Sequence, residues 1–166
     1  IAKPELAKAF ASSAKLAVAA PKEEAAVAFG YADFGKPGQV VEDRRIADLG
    51  IRTIRFANNV RLNIKKTDFE KGKVAFSARM AGGGIALPAD RPGIAPMISM
   101  LSAQSATEKN SFEEIKTLTA GRQVTAGMIM LPDAIAASGT TNADDLAMQM
   151  KLSAAYLTDP GFRPEA

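Results

Sequence analysis

The sequence predicts an α+β fold in which helices pack on one face of an antiparallel β-sheet. Three observations carry this. After Gly50, apolar and polar residues alternate in short runs, the period of half-buried strands. Residues 111–121 and 142–157 carry helix start signals, with apolar residues three or four apart. Between them lie two more strand-like runs, joined around Pro132-Asp133.

The elements follow in order. Residues 3–14, "KPELAKAFASSA", read as a short helix: Pro4 suits a first turn, and Leu6 and Phe10 are four apart on one face. "KLAVAA" at 15–20 reads as a short strand. Residues 21–50 hold no steady period and carry "PKEE", "FGYADFGKPG" and "EDRR". They read as an extended connector whose aromatics Phe29, Tyr31 and Phe34 cover part of a local core or dock on a neighbour.

"IRTIRFANNVRLNIKKT" holds two alternating runs. Ile54 and Phe56, then Val60, Leu62 and Ile64, alternate with Arg, Asn and Lys. Asn58-Asn59 lies between them and tolerates the positive φ of a tight turn. "KVAFSARMA" (73–81) alternates again through Val74, Phe76, Ala78 and Met80. The three runs predict an antiparallel meander with one buried face.

"GGGIALPADRPG" reads as a loop, and "PGIAPMISML" (92–101) opens an apolar helix. Pro96 is acceptable there only if the helix begins near Ala95 or kinks, because an interior proline costs about 3 kcal/mol. In "SFEEIKTLTAG", Ser111 and Glu114 form a capping box, Gly121 is a stop, and Phe112, Ile115 and Leu118 share a face. "RQVTAGMIML" and "DAIAASGTT" are the later strand pair. "NADDLAMQMKLSAAYL" is a helix capped by Asn142, with Asp144 and Asp145 in its positive first turn. Leu146, Met150 and Leu157 face the core, and Pro160 ends the helix.

Composition narrows the chemistry. The 166 residues, 47% hydrophobic and 23% charged, allow one domain with a sizeable core. No apolar run is long enough for a membrane span. The net charge of +3 comes without a Lys/Arg block, which argues against nucleic acid as a partner. There is no Cys, hence no disulfide and no thiolate. There is no His, which removes the commonest general base and the commonest zinc ligand, and a Ser-His-Asp triad with them. Any metal site would be built from oxygens and would suit Mg or Ca.

The remaining candidates have plain accounts. "AGGG" (81–84) could cradle an anion on backbone N–H groups, but it lacks the neighbours of a phosphate loop and reads as a mobile turn. Asp144, Asp145, Glu113 and Glu114 sit where helix N-termini favour carboxylates, so capping accounts for them better than metal binding. Met97, Met100, Met128, Met130, Met148 and Met150 could line a peptide groove, yet most fall on faces assigned to the core. Arg52, Arg55 and Arg61 lie on the polar face of the hairpin, which reads as solvated, with an acidic partner as the alternative.

Taken in order, "IRFANNVRLNIKKTDF", "KVAFSARMAGGG", "RPGIAPMISML", "AGRQVTAGMIM" and "SGTTNADDLAMQMKLSAAYLTDPGF" resemble the pitrilysin/insulinase family of zinc metallopeptidases. That family includes the mitochondrial processing peptidases. The likeness covers roughly 51–166. Family members carry "G-x-A-H-x-x-E-H" on a helix. Here Gly93 and Ala95 match, but the histidines and the glutamate fall on Pro96, Ser99 and Met100. None of the three can bind catalytic zinc or activate water in the family's manner.

The resemblance therefore implies a truncated, processing-peptidase-like half-domain without catalytic, cofactor or metal residues of its own. It implies that 1–20 ends a preceding homologous half, 21–50 links the halves, and 51–166 begins the inactive one. Zinc would belong to the catalytic half of the parent protein. The expected role is to pack on that half and help form a peptide-binding chamber, in which family members take substrate largely as an added strand. The alternative is a stand-alone inactive subunit that binds an active peptidase partner or peptides. Beginning at Ile1 without a signal-like segment, the chain is expected to be processed or cut from a longer bacterial protein. Family resemblance alone suggests the periplasm or cell envelope. Such a fragment would expose apolar surface and could self-associate.

Overall fold

A computed structural model describes residues 3–15 and 26–163. The predicted strand "KLAVAA" lies outside these residues apart from Lys15, which is in a turn. The elements are α1 (Lys3–Ser13), β1 (Val40–Ile46), β2 (Ile51–Phe56), β3 (Arg61–Lys65), β4 (Lys73–Ala81), α2 (Ile94–Ser105), α3 (Phe112–Thr119), β5 (Ile129–Met130), β6 (Ala134–Asn142) and α4 (Leu146–Thr158). The predicted fold class holds: antiparallel sheets with helices packed against them.

The strand pairing departs from the predicted meander. The sheets have the orders β1-β2-β3 and β4-β6-β5. The β2–β3 hairpin forms as expected, with Asn59 at φ +67° in its turn. However, β4 pairs with β6 along nine rungs, from Lys73↔Asn142 to Ala81↔Ala134. A full-length partner satisfies far more main-chain groups than a five-residue neighbour such as β3.

The other edge of β2 is taken by β1, which lies within the stretch expected to be a connector. Its middle, Glu42-Asp43-Arg44-Arg45, carries no apolar alternation. The strand is matched across the ladder by charge instead: Arg52 bonds Asp43 at 2.9 and 2.6 Å, and Arg55 bonds Glu42 at 3.2 Å. The predicted buried face of the hairpin is also corrected. Ile54 is buried, but Val60, Leu62 and Ile64 are exposed.

The core gathers Ala106, Ile115, Leu152 and Tyr156, with Phe29, Leu118 and Val124 packed against it. Phe29 comes from the connector, which docks by specific bonds. Asn110 Oδ1 accepts from Gly30 N at 2.8 Å, and Asn110 Nδ2 donates to Ala28 O at 3.0 Å. The Tyr31 hydroxyl donates to Asp159 Oδ2 at 2.7 Å and accepts from Lys109 N at 3.2 Å. The aromatics thus cover local core, as expected, although Phe34 only stacks on Tyr31 and stays exposed.

The capping box forms as predicted: Glu114 N donates to Ser111 Oγ at 3.3 Å and Ser111 N to Glu114 Oε2 at 2.8 Å. On α4 the inner face is Gln149, Leu152, Ser153 and Tyr156 rather than Leu146, Met150 and Leu157. Met150 is exposed, because successive helix positions are about 100° apart and the predicted stripe is rotated by one residue. Of the six methionines assigned mostly to core, only Met128 is buried, while Met97, Met100 and Met150 are exposed.

Candidate functional site

The helix α2 begins at Ile94, so Pro96 is its third residue. The first bond of the helical ladder is Met97 N to Gly93 O, at 3.3 Å. Pro96 therefore lacks an N–H that would have had no helical acceptor, and the helix needs no kink there.

Pro96, Ser99 and Met100, which the resemblance sets against a zinc motif, do not converge. Pro96 and Met100 are exposed and four apart, Met100 at 74%. Ser99 turns the other way. Its Oγ donates to Ala95 O at 3.2 Å and accepts from Met130 N at 2.9 Å, tying α2 to β5. Ser102, fully buried one turn on, lies with Oγ 2.8 Å from Met128 O. A catalytic zinc needs three ligands from His, carboxylate or thiolate. Pro96 offers no donor, Met100 a thioether, and Ser99 a hydroxyl already bonded on both sides. This donor set does not fit zinc.

Beside Ser99 lies a hollow of about 180 Å³, bordered by Thr125, Gly127, Ile129 and Ser138. It separates the approach to β5 from β6, since only Ile129 and Met130 pair in that ladder. Gln149 of α4 and Asp145 just before it hold the approach. Gln149 Oε1 accepts from Thr125 N at 2.6 Å while its Nε2 donates to Thr125 O at 2.9 Å. Asp145 accepts from Gln123 N at 2.8 Å, Asn142 Nδ2 at 3.1 Å and Arg122 Nη1 at 3.2 Å. The Gln123 amide, chiefly, holds the Asp145 carboxyl below its ordinary range, with Asn142 and Arg122 adding to the effect. Sequence reasoning took Asp145 for a dipole-complementing residue and passed over Gln149. A Gln set among Leu152, Ser153 and Tyr156 gives no signal of its distant bonding partner.

Asp144 is exposed in the turn before α4, and Asn142 caps that turn, its Oδ1 accepting from Asp145 N at 2.8 Å. The "AGGG" loop is neither a free turn nor an anion cradle. Gly84 N bonds Leu131 O at 2.8 Å, Ile85 N bonds Pro132 O at 2.8 Å and Gly82 N bonds Asp133 O at 3.3 Å, so these amides already serve the β5–β6 turn. The hairpin arginines are only partly solvated, since β1 supplies carboxylates to Arg52 and Arg55. Among the described residues, no helix is long and apolar enough to cross a membrane.

These features define a class of fold: an α+β unit of antiparallel sheets and packed helices. Among solved structures it is similar to the ferredoxin protease FusC, a mutant of which was crystallised in complex with Arabidopsis ferredoxin. That match has a TM-score of 0.72 and 21% identity, and covers 99% of this chain. It is also similar to the periplasmic protease PqqL from Escherichia coli, with a TM-score of 0.71 and 15% identity over 96% of this chain. The chain spans 18% of the length of each. At these identities the likeness is one of fold. No family profile matches the sequence, and no curated protein matches it.

Proposed function

We propose that this chain is part of the non-catalytic half of a pitrilysin/insulinase-like zinc peptidase. In this reading 1–20 closes a preceding half, 21–50 links the halves and 51–166 begins the inactive one. The observation that carries it is α2. The helix lies beside the sheet, and where active relatives carry two histidines and a glutamate it presents Pro96, Ser99 and Met100, with Ser99 serving helix–sheet packing. Both structural relatives are proteases, one of them periplasmic, which supports the peptidase class and a bacterial envelope setting.

The chain's work is to bind rather than cleave. The outward main-chain groups of β5 are taken by Ser99 and Ser102 of α2, whereas β4 is the other edge strand of this sheet, so a peptide could add its main chain along β4. Zinc and the general base would come from the catalytic half, against which this unit packs. The test is a peptide-cleavage assay on the isolated chain and on the intact protein. The expected result is chelator-sensitive cleavage by the intact protein and none by the isolated chain. Zinc-dependent cleavage by the isolated chain would overturn the reading. An intact protein without "H-x-x-E-H" elsewhere would point instead to an inactive subunit serving a separate active partner.

A further inference from the structure

We propose that the polar face of the β1–β2–β3 sheet docks an acidic segment of a partner protein on Arg44, Arg55 and Arg61. The ladder places these residues together. Glu42, Arg55 and Arg61 share one rung, and Arg44, Thr53 and Asn63 the next. Residues opposite one another in an antiparallel ladder point to the same side. Three guanidiniums and one carboxylate therefore border a single hollow of about 330 Å³ floored by Thr53 and Asn63.

The charges on this face do not balance. Glu42 Oε1 meets Arg44 Nε at 3.0 Å and Glu42 Oε2 meets Arg55 Nε at 3.2 Å. One carboxylate thus serves two guanidiniums. Arg61 makes no ion pair among the described residues, although it stands opposite Arg55. Like charges set directly across a ladder are destabilising. On the opposite face Asp43 matches Arg52 in bidentate fashion, although Arg45 stands across the ladder from Arg52.

An incoming carboxylate would relieve the Arg55–Arg61 repulsion and accept two parallel bonds from a guanidinium. Diagonal neighbours on a sheet lie about 7–8 Å apart. Side chains two apart on an extended segment are spaced by about 7 Å. An extended segment with acidic residues at alternate positions therefore matches the Arg44–Arg55 diagonal. Nucleic acid fits less well, since no aromatic side chain borders the hollow to stack a base. The surface is independent of any cleavage chemistry.

The experiment measures fluorescence anisotropy on the intact protein with a labelled eight-residue Glu-Ser repeat, a matched Gln-Ser repeat and a single-stranded oligonucleotide. The Glu peptide is expected to bind in a salt-sensitive manner and the Gln peptide not to bind. Arg61→Glu should weaken binding by about tenfold, and Arg61→Lys by only about threefold. Glu42→Gln should tighten binding by about threefold, because it frees Arg44 and Arg55. Arg79→Ala, on the other sheet, should leave binding unchanged. Equal binding of the two peptides, no loss with Arg61→Glu, weaker binding with Glu42→Gln, or an oligonucleotide bound as tightly as the Glu peptide would each overturn the proposal. Circular dichroism of each variant verifies that the fold is retained.

Discussion

Replacing Gln149 with methionine should loosen the approach to β5 while leaving the core filled. Gln149 is fully buried on the inner face of α4. Its amide makes three bonds: from Thr125 N at 2.6 Å, to Thr125 O at 2.9 Å and to Ser153 Oγ at 3.0 Å. Methionine keeps nearly the same length and volume and deletes all three. A net hydrogen bond contributes about 0.5–1.5 kcal/mol. Thr125 is itself exposed, so water can resolvate its backbone and the sum falls toward the lower end, about 2 kcal/mol. At 1.4 kcal/mol per decade that is a loss of roughly 30-fold in local protection. Amide hydrogen exchange on the intact protein reads it directly at 125–128. The α3 amides, held by their own capping box, should be unchanged. Unchanged exchange at 125–128, or an equal rise across α3 and α4, would refute a local clamp.

Two further outcomes follow from the same geometry. Gly83 has φ +72°, and a Cβ there would lie 2.3 Å from Leu131 O and 2.4 Å from Ala134 N, both backbone atoms that cannot swing aside. Gly83→Ala should therefore cost about 3 kcal/mol or more and lower the thermal midpoint by several degrees. A shift under about 2 °C, on the order of 0.5 kcal/mol, would contradict the packing. Stability should also fall at both ends of the pH range. The Asp145 carboxyl is held below its ordinary 3.8, so its contribution is present above that value and is lost as pH falls through the lowered one. Burial pushes the Tyr156 hydroxyl up to about 12, so its contribution is present below the ordinary 10 and is lost as pH rises from 10 toward 12. Unfolding midpoints against pH should show a shallower acid limb in Asp145→Asn and a shallower alkaline limb in Tyr156→Phe, with Asp43, Glu114 and Tyr31 keeping part of each.

Some of this protein could be read from the sequence alone, because local patterns sufficed. Ser111 and Glu114 cap α3 through bonds that span three residues, and the Asn58-Asn59 turn needs only a backbone that tolerates positive φ. Pro96 limits where α2 can begin, since proline lacks an amide. The absence of His follows from composition, while residues 96, 99 and 100 stand out only through the family resemblance.

Tertiary structure decided what depends on partners distant in the chain. β4 took β6, more than fifty residues later, over its neighbour β3, because nine rungs satisfy more backbone than five. The strand β1 stayed hidden because opposite charges on β2 match it, and such a pattern shows no alternation until the partner is known. Gln149 and Asp145 gained their roles only once α4 met 123–125, and Arg61 came to face a like charge only once it stood beside Arg55. Hydrogen bonds and ion pairs act over a few ångströms in space, so residues far apart along the chain show their pairing only after the chain has folded.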